Sequence, residues 1–446
     1  REGLLSFVRP DEVDEKAIQA FLSCLHYLSA DPSEPEAYAE LRTRLEEIDR
    51  TIDNPHNYLY YLATPPLLYG VIPRHLKAEG LNREGDGFRR IVVEKPFGYD
   101  LSSALELNRI YLDAFREEQI YRIDHFLGKE TVQNILALRF ANSVFEPLWN
   151  RNYIDYVEIT AVENMGIGTR GGFYDGVGTL RDMVQNHLAQ LLAVTAMEPP
   201  AAFDASGFRN EVVKVYQSLT PLTGEDIRHS VVRGQYMASE GRKGYREEEQ
   251  VPALSRTETY LAMRLELNNW RWGGVPFYIR TGKQMPTKVS EIVIHFKPAP
   301  YSLFRCEGGT CPVPNRLVIR IQPNEGIVLR LGMKKPGEGF EVLPMDMDFS
   351  YAELGRLPTE DAYARLIEDC IAGDPTLFIR SDAVESGWRF FDPILKYWQD
   401  VPECPLYGYP AGSWGPLEAD SLVARQGASW TNPCKNLTNT HLYCEL

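Results

Sequence analysis

The chain has 446 residues, enough for two domains with cores of their own, and its 44% hydrophobic and 24% charged residues describe an ordinary globular protein. A net charge of −15 argues against non-specific nucleic-acid binding, and no apolar run approaches the roughly 20 residues of a membrane span. Seven cysteines, with no signal peptide to place them in an oxidising compartment, point to a cytosolic protein.

In chain order, DPSEPEAYAELRTRLEEID shows helical spacing through Tyr38, Leu41 and Leu45 after an Asp-Pro start. NYLYYLATPP reads as a strand ended by a double proline. LLYGVIPRHLKAEGL reads as a helix interrupted or begun by Pro73. FRRIVVEKPFG holds a short all-apolar strand of the kind a covered parallel sheet uses. A helix follows over SALELNRIYLDAF, with apolar residues at Leu105, Leu107, Ile110, Tyr111 and Phe115, and IYRI is another strand. This alternation predicts a doubly wound α/β unit over residues 1–128.

A long helix is expected from Lys129 to about Leu148. Beyond it YVEITAVEN, MRLEL, EIVIHF, RLVIRI and GIVLRL alternate apolar and polar, which predicts antiparallel strands with one open face. RLVIRIQPNEGIVLRL reads as a hairpin turning at Pro323 to Gly326. Residues 129–446 are therefore expected to form a mostly antiparallel β+α domain. There is no internal repeat, and the tail beyond Trp430 is polar. Cys306 and Cys311 have four residues between them but no second pair to complete a zinc site. Cys434 and Cys444 could pair only in an oxidising compartment, and the Asn436 glycosylation pattern reads as a chance match.

The densest chemistry is RIDHFLGKE, Arg122 to Glu130, at a strand end where open α/β sheets bind ligands. Its plain reading is a strand-to-helix turn capped by Asp124, with a solvated Lys129. His125 and Lys129 share a helical face if the helix begins early enough. In TLRDMVQNHLAQLLAVTAM, apolar residues at 180, 183, 184, 188, 191 and 192 form a stripe that contains His187. His187 is either a core histidine or a general base. Asp182 lies five positions earlier, about 140° around an ideal helix, and T-x-x-D from Thr179 could simply cap it. Lys95 precedes Pro96 at a strand end, where the peptide bond can be cis.

RIDHFLGKE, with EKPFG (Glu94 to Gly98) upstream and RDMVQNH, YIRTGK and AGSWGP downstream in that order, resembles the glucose-6-phosphate dehydrogenase family. The resemblance covers most of the chain from about Pro65. It implies oxidation of β-D-glucose 6-phosphate at C1 to the lactone, with hydride passing to NADP, as the first step of the pentose phosphate pathway. NAD stays an alternative acceptor. By residue match His187 is the base and Asp124 its orienting partner. His125 and Lys129 grip phosphate, and Lys283 and Lys288 add charge. Glu163 and Asp182 contact sugar hydroxyls. Lys95 bridges substrate and cofactor, and Pro96, Ala63, Pro65 and Pro66 pass the nicotinamide. Phe126 stands where many relatives carry Tyr. The family makes homodimers or homotetramers. No metal is implied, since hydride acceptance belongs to the cofactor.

The family usually opens with a strand, a Gly-rich phosphate turn and a helix. No such turn lies near Arg1, so the Rossmann-like domain is expected to be incomplete. Two alternatives follow: a sugar-phosphate binding module without turnover, or another sugar dehydrogenase with an EKP motif.

Overall fold

A computed structural model describes residues 1–5, 14–52, 54, 56–301, 303–306, 314–337, 339–351, 361–424 and 428–433. Cys311, Cys434, Cys444 and Asn436 lie outside the described residues. The first sheet has three parallel strands, β1 (Tyr58–Leu62), β2 (Arg89–Val93) and β3 (Ile120–Arg122), in that order. Ile91, Val92 and Val93 are fully buried, as the all-apolar run of a covered parallel strand requires. Pro73 begins the helix Ile72–Ala78 rather than interrupting it, its missing N–H falling in the first turn. Asp100 caps the helix Leu101–Ala114 by accepting from the Ser103 N–H. That helix buries Ala104, Ile110, Tyr111 and Ala114, and leaves Leu105 exposed, against the expected stripe.

The long helix expected after Lys129 is shorter than its sequence suggests. It runs Glu130–Phe140, and a separate 3-10 turn covers Glu146–Leu148. Asn142 ends it by donating its amide to the Ala137 and Leu138 carbonyls, and Pro147 cannot continue it.

The second sheet has ten strands: β4 (Ile154–Val162), β5 (Val231–Met237), β6 (Tyr260–Glu266), β7 (Pro276–Gly282), β8 (Val289–Phe296), β9 (Arg305–Cys306), β10 (Arg316–Gln322), β11 (Gly326–Lys334), β12 (Glu341–Ser350) and β13 (Tyr407–Pro410). Their order is β13-β5-β6-β7-β4-β8-β10-β11-β12-β9, mostly antiparallel, with parallel pairing of β4 to β7, β13 to β5 and β12 to β9. The hairpin between β10 and β11 turns where the sequence places it.

One face was expected to be open, and the central strands are instead covered on both. Their alternating polar residues pair internally: Glu158 accepts from His295 (2.7 Å) and from the Thr431 N–H and hydroxyl. Arg280 donates to Asn432 and Thr431 and lies 4.8 Å and 4.6 Å from the Trp414 and Trp430 rings. Residues 428–433 thus seal what the alternation marked as solvent-facing. The helices Ala205–Gln217 and Ser381–Asp400 pack together, and the latter also lies against Leu101–Ala114. One continuous core links both sheets and these helices.

Candidate active site

The three parallel strands deliver their C-terminal ends to one edge, where open α/β sheets bind ligands. After β2 the chain runs into Glu94 and a cis Lys95–Pro96 bond. After β1 it passes Ala63, Pro65 and Pro66, which do not line the cavity described next. After β3 it enters the Asp124 turn.

That turn is built by local bonds. Asp124 Oδ1 accepts the Phe126 N–H (3.0 Å), the Leu127 N–H reaches the Asp124 carbonyl (3.0 Å), and the Lys129 N–H reaches that of Phe126 (3.2 Å). The helix begins only at Glu130, so His125 and Lys129 do not share a helical face; successive turns aim them into the same cavity. Gly128 is needed because a Cβ there would sit 2.6 Å from the Ala362 carbonyl oxygen.

Residues Leu180–Leu188 form a π-helix, continued by the α-helix Ala189–Ala196. In a π-helix the bonds run between residues five apart, so such residues stack. This overturns the 140° separation read from ideal pitch: Asp182 and His187 lie on one face and both meet Lys95. Lys95 Nζ stands 2.9 Å from His187 Nε2, 3.2 Å from Asp182 Oδ1 and 3.0 Å from the Asp182 carbonyl. Thr179 makes no capping bond to this helix; its hydroxyl donates to the Glu258 carbonyl instead.

His187 Nδ1 meets Asp124 Oδ1 at 2.5 Å, and both residues are buried. With the proton on Nδ1, Nε2 keeps a free lone pair toward Lys95 and the cavity. Burial pushes the imidazole below its usual range; Asp124 opposes this and Lys95 reinforces it. Burial also works against ionisation of Asp124, yet His187 and the Phe126 N–H outweigh it and hold the carboxyl below its usual range. The Phe126 ring stacks on His187 at 4.6 Å. It fixes the plane of the imidazole by contact.

The cavity, about 210 Å³, is lined by His187, Lys95, His125, Lys129, Glu163, Asp182, Lys283 and Lys288, among others. Lys283 pairs with Glu163 and, at 3.4 Å, with Asp182. Lys95, Asp182, Lys283 and Glu163 thus make an alternating chain of charges along one wall. Burial raises the Asp182 carboxyl, but Lys95 and Lys283 together hold it below its usual range. On the opposite wall Lys129 Nζ donates to Gln322 Oε1 (2.7 Å) and lies 4.3 Å above the Phe126 ring. Burial and the neighbouring Lys288 lower the Lys129 ammonium to about 8. Burial, with His187 adding to it, lowers His125 to about 4, so it is an uncharged donor or acceptor at neutral pH. A chain of charge −15 therefore gathers four lysines around one small cavity.

Donor atoms of Asp124, His125 and His187 lie within 4.8 Å of one another. The Asp124–His187 bond and the ammonium at Nε2 suit proton transfer better than a cation. The sequence reading missed Gln322, Ser290 and Arg170 on the cavity wall. Gln322 ends β10 beside the hairpin turn, and that strand-end position was the one signal available. On the loop after β1, Thr64 Oγ1 is a buried hydroxyl with no partner among the described residues, between Ala63 and Pro65. An unpaired donor on the loop after β1 fits a polar group lying along that edge.

Two family profiles cover nearly the whole chain: "Glucose-6-phosphate dehydrogenase, NAD binding domain" over residues 2–134 and "Glucose-6-phosphate dehydrogenase, C-terminal domain" over 136–431. The chain belongs to the glucose-6-phosphate dehydrogenase family. Glucose-6-phosphate 1-dehydrogenase of Aggregatibacter actinomycetemcomitans is 51% identical over 96% of this chain and 86% of that protein. The enzyme of Treponema pallidum is 48% identical over 97% and 85%. Among solved structures, a glucose-6-phosphate dehydrogenase in complex with its substrate glucose-6-phosphate superposes with a TM-score of 0.87 at 34% identity, covering 95% of this chain and 87% of that one. The Mycobacterium avium structure gives 0.80 at 37%, covering 95% and 85%. Membership in this family accounts for the order of the motifs and for both sheets.

Proposed function

We propose that the chain oxidises the C1 hydroxyl of β-D-glucose 6-phosphate to the lactone, with NADP as acceptor. The observation that carries this reading is the buried His187–Asp124 pair opening onto a lysine-lined cavity. His187 Nε2 takes the C1 hydroxyl proton, and Asp124 holds the ring in the Nδ1–H form and stabilises the imidazolium that results. The hydroxyl must replace Lys95 at Nε2, which frees the ammonium for substrate and cofactor. Lys129, Lys288 and His125 receive the phosphate at one end. Glu163, Asp182 and Lys283 receive sugar hydroxyls at the other. The nicotinamide, when bound, supplies the hydride acceptor. Lys95, Pro96, Ala63, Pro65 and Pro66, at the ends of β1 and β2, are the residues to hold it. NADP rather than NAD rests on the family resemblance.

The division between Gly128 and Lys129 remains our boundary between the cofactor and substrate domains. A homodimer or homotetramer is favoured by β12, whose Met345 (55% exposed), Met347 (64%) and Phe349 (36%) alternate onto one bare face. A cytoplasmic location is part of the same proposal; among the described residues no helix is long and apolar enough to cross a membrane.

The test is absorbance at the reduced-nicotinamide band with glucose 6-phosphate and either NADP or NAD. Phosphate-dependent reduction, faster with NADP, is expected. H187N should lose roughly 10²–10⁴-fold in kcat while still binding glucose 6-phosphate. Near-normal turnover in that variant would rule out His187 as the base.

A further inference from the structure

Glu258 lies outside the cavity, two residues before the start of β6, and is 6% exposed. Its Oε1 accepts the N–H of Leu180, the first residue of the π-helix, at 2.9 Å. Its carbonyl oxygen accepts the Thr179 hydroxyl (2.9 Å) and the Thr179 N–H (3.2 Å). The space around the carboxyl is tight: a Cβ on Gly178, whose φ is +74°, would meet Glu258 Oε1 at 2.6 Å. The next residue, Thr259, accepts the Lys283 N–H at its carbonyl (2.9 Å), and its hydroxyl receives the Tyr236 N–H (3.0 Å). Tyr409 closes the same corner by donating to the Lys283 carbonyl at 2.7 Å. Two successive residues thus hold the start of the His187 helix and the backbone of Lys283, two segments that supply the same wall of the site.

The first N–H groups of a helix have no partner within it. Here the Thr179 side chain, the ordinary candidate, faces away, and a carboxyl distant in sequence takes over. Asp182 and His187 depend on where this helix starts, because both meet Lys95 through its π-pitch.

We propose that Glu258 is a positioning residue for the reaction: by receiving the Leu180 N–H it sets the register of the helix that presents Asp182 and His187 to Lys95. The proposal rests on His187 being the base. Its essential part is the acceptor oxygen, so glutamine should serve and alanine should not.

The experiment compares E258A, E258Q and H187N by kcat, KM and the pH profile of kcat/KM, with calorimetric binding of glucose 6-phosphate. For E258A we expect kcat to fall tenfold or more and the acid limb of the profile to move, since misplacement on the order of 1 Å can cost about 10²-fold. Phosphate-driven binding should stay. E258Q should recover kcat to within about threefold, because its amide oxygen accepts the same N–H. A purely structural role would lower the active fraction and leave the profile in place. An unmoved acid limb in E258A, or E258Q as impaired as E258A, overturns the proposal. If E258A does not fold, G178A carries the test by pressing a methyl against the carboxyl; there too an unmoved acid limb overturns it. H187N separates the two claims: an active H187N sinks the base assignment, whereas an inactive H187N beside a normal E258A sinks only the role of Glu258.

Discussion

Lys129 carries a charge that its surroundings resist. Burial and Lys288 lower its ammonium to about 8, and its hydrogen-bond partner, Gln322, is a neutral amide. A phosphate dianion in the cavity would reverse this by pairing with the ammonium, so binding above that pH takes up a proton. KM for glucose 6-phosphate should therefore rise as pH passes about 8, while kcat changes less. Steady-state kinetics from about one pH unit below that value to one above checks it, and K129M should show a high KM without the rise. His187 gives the opposite limb. Its imidazole sits below the usual value of 6.5, so the base form persists into mild acid and the acid limb of kcat/KM should fall below that value. An acid limb above it would mean that another group is the base.

At the scale of elements, the turn at Asp124 shows how a glycine and a neighbouring helix fix geometry together. A Cβ on Gly128 would meet the Ala362 carbonyl at 2.6 Å and the Leu366 side chain at 3.1 Å, and carbonyl and turn would have to part. G128A should cost about 1–3 kcal/mol in thermal or urea unfolding and raise KM, since Lys129 follows directly. Wild-type stability and KM in G128A would mean that the helix Ala362–Ala372 does not press on the turn. The turn itself was legible: a polar cluster after IYRI, at a strand end, is a local pattern. So were the parallel strands, because all-apolar runs such as IVV (Ile91 to Val93) declare burial on both faces, and so was the hairpin at Pro323 to Gly326. The π-pitch of Leu180–Leu188 was not legible. The apolar stripe that suggested an α-helix fits either pitch, and the difference lies in hydrogen bonds that no side-chain pattern reports. The open sheet face was misread for a related reason. Alternation says that Glu158 and Arg280 point away from the core, but it cannot say that Thr431, Asn432 and Trp430 come back from the far end of the chain to cover them.

Across the whole molecule the active site should set the acid limit of stability. His125 is lowered from 6.5 to about 4 and His187 is lowered as well. Both folded values lie below the unfolded ones, so as pH falls through about 6.5 the unfolded chain binds protons that the folded chain refuses, and stability drops. For His125 alone the loss between that pH and about 4 is on the order of 2–3 kcal/mol. Asp124, Asp182 and Glu158 sit below the usual carboxylate range; their contribution is whole above that range and is lost as pH falls through their folded values, lower still. Glu258 runs the other way: burial raises it, so its share of stability is present at low pH and fades as pH rises through its folded value. The net expectation is a stability that first declines through the imidazole window, then more steeply as the carboxylates protonate. Urea unfolding at a series of pH values checks this, with H125N as the decisive variant. Removing one refused proton should flatten the slope between about 6.5 and 4 without moving the carboxylate region. An unchanged slope in H125N would place the acid sensitivity elsewhere in the chain. A flattened one would show that keeping the His125 imidazole uncharged in the cavity makes the whole fold weaker in acid.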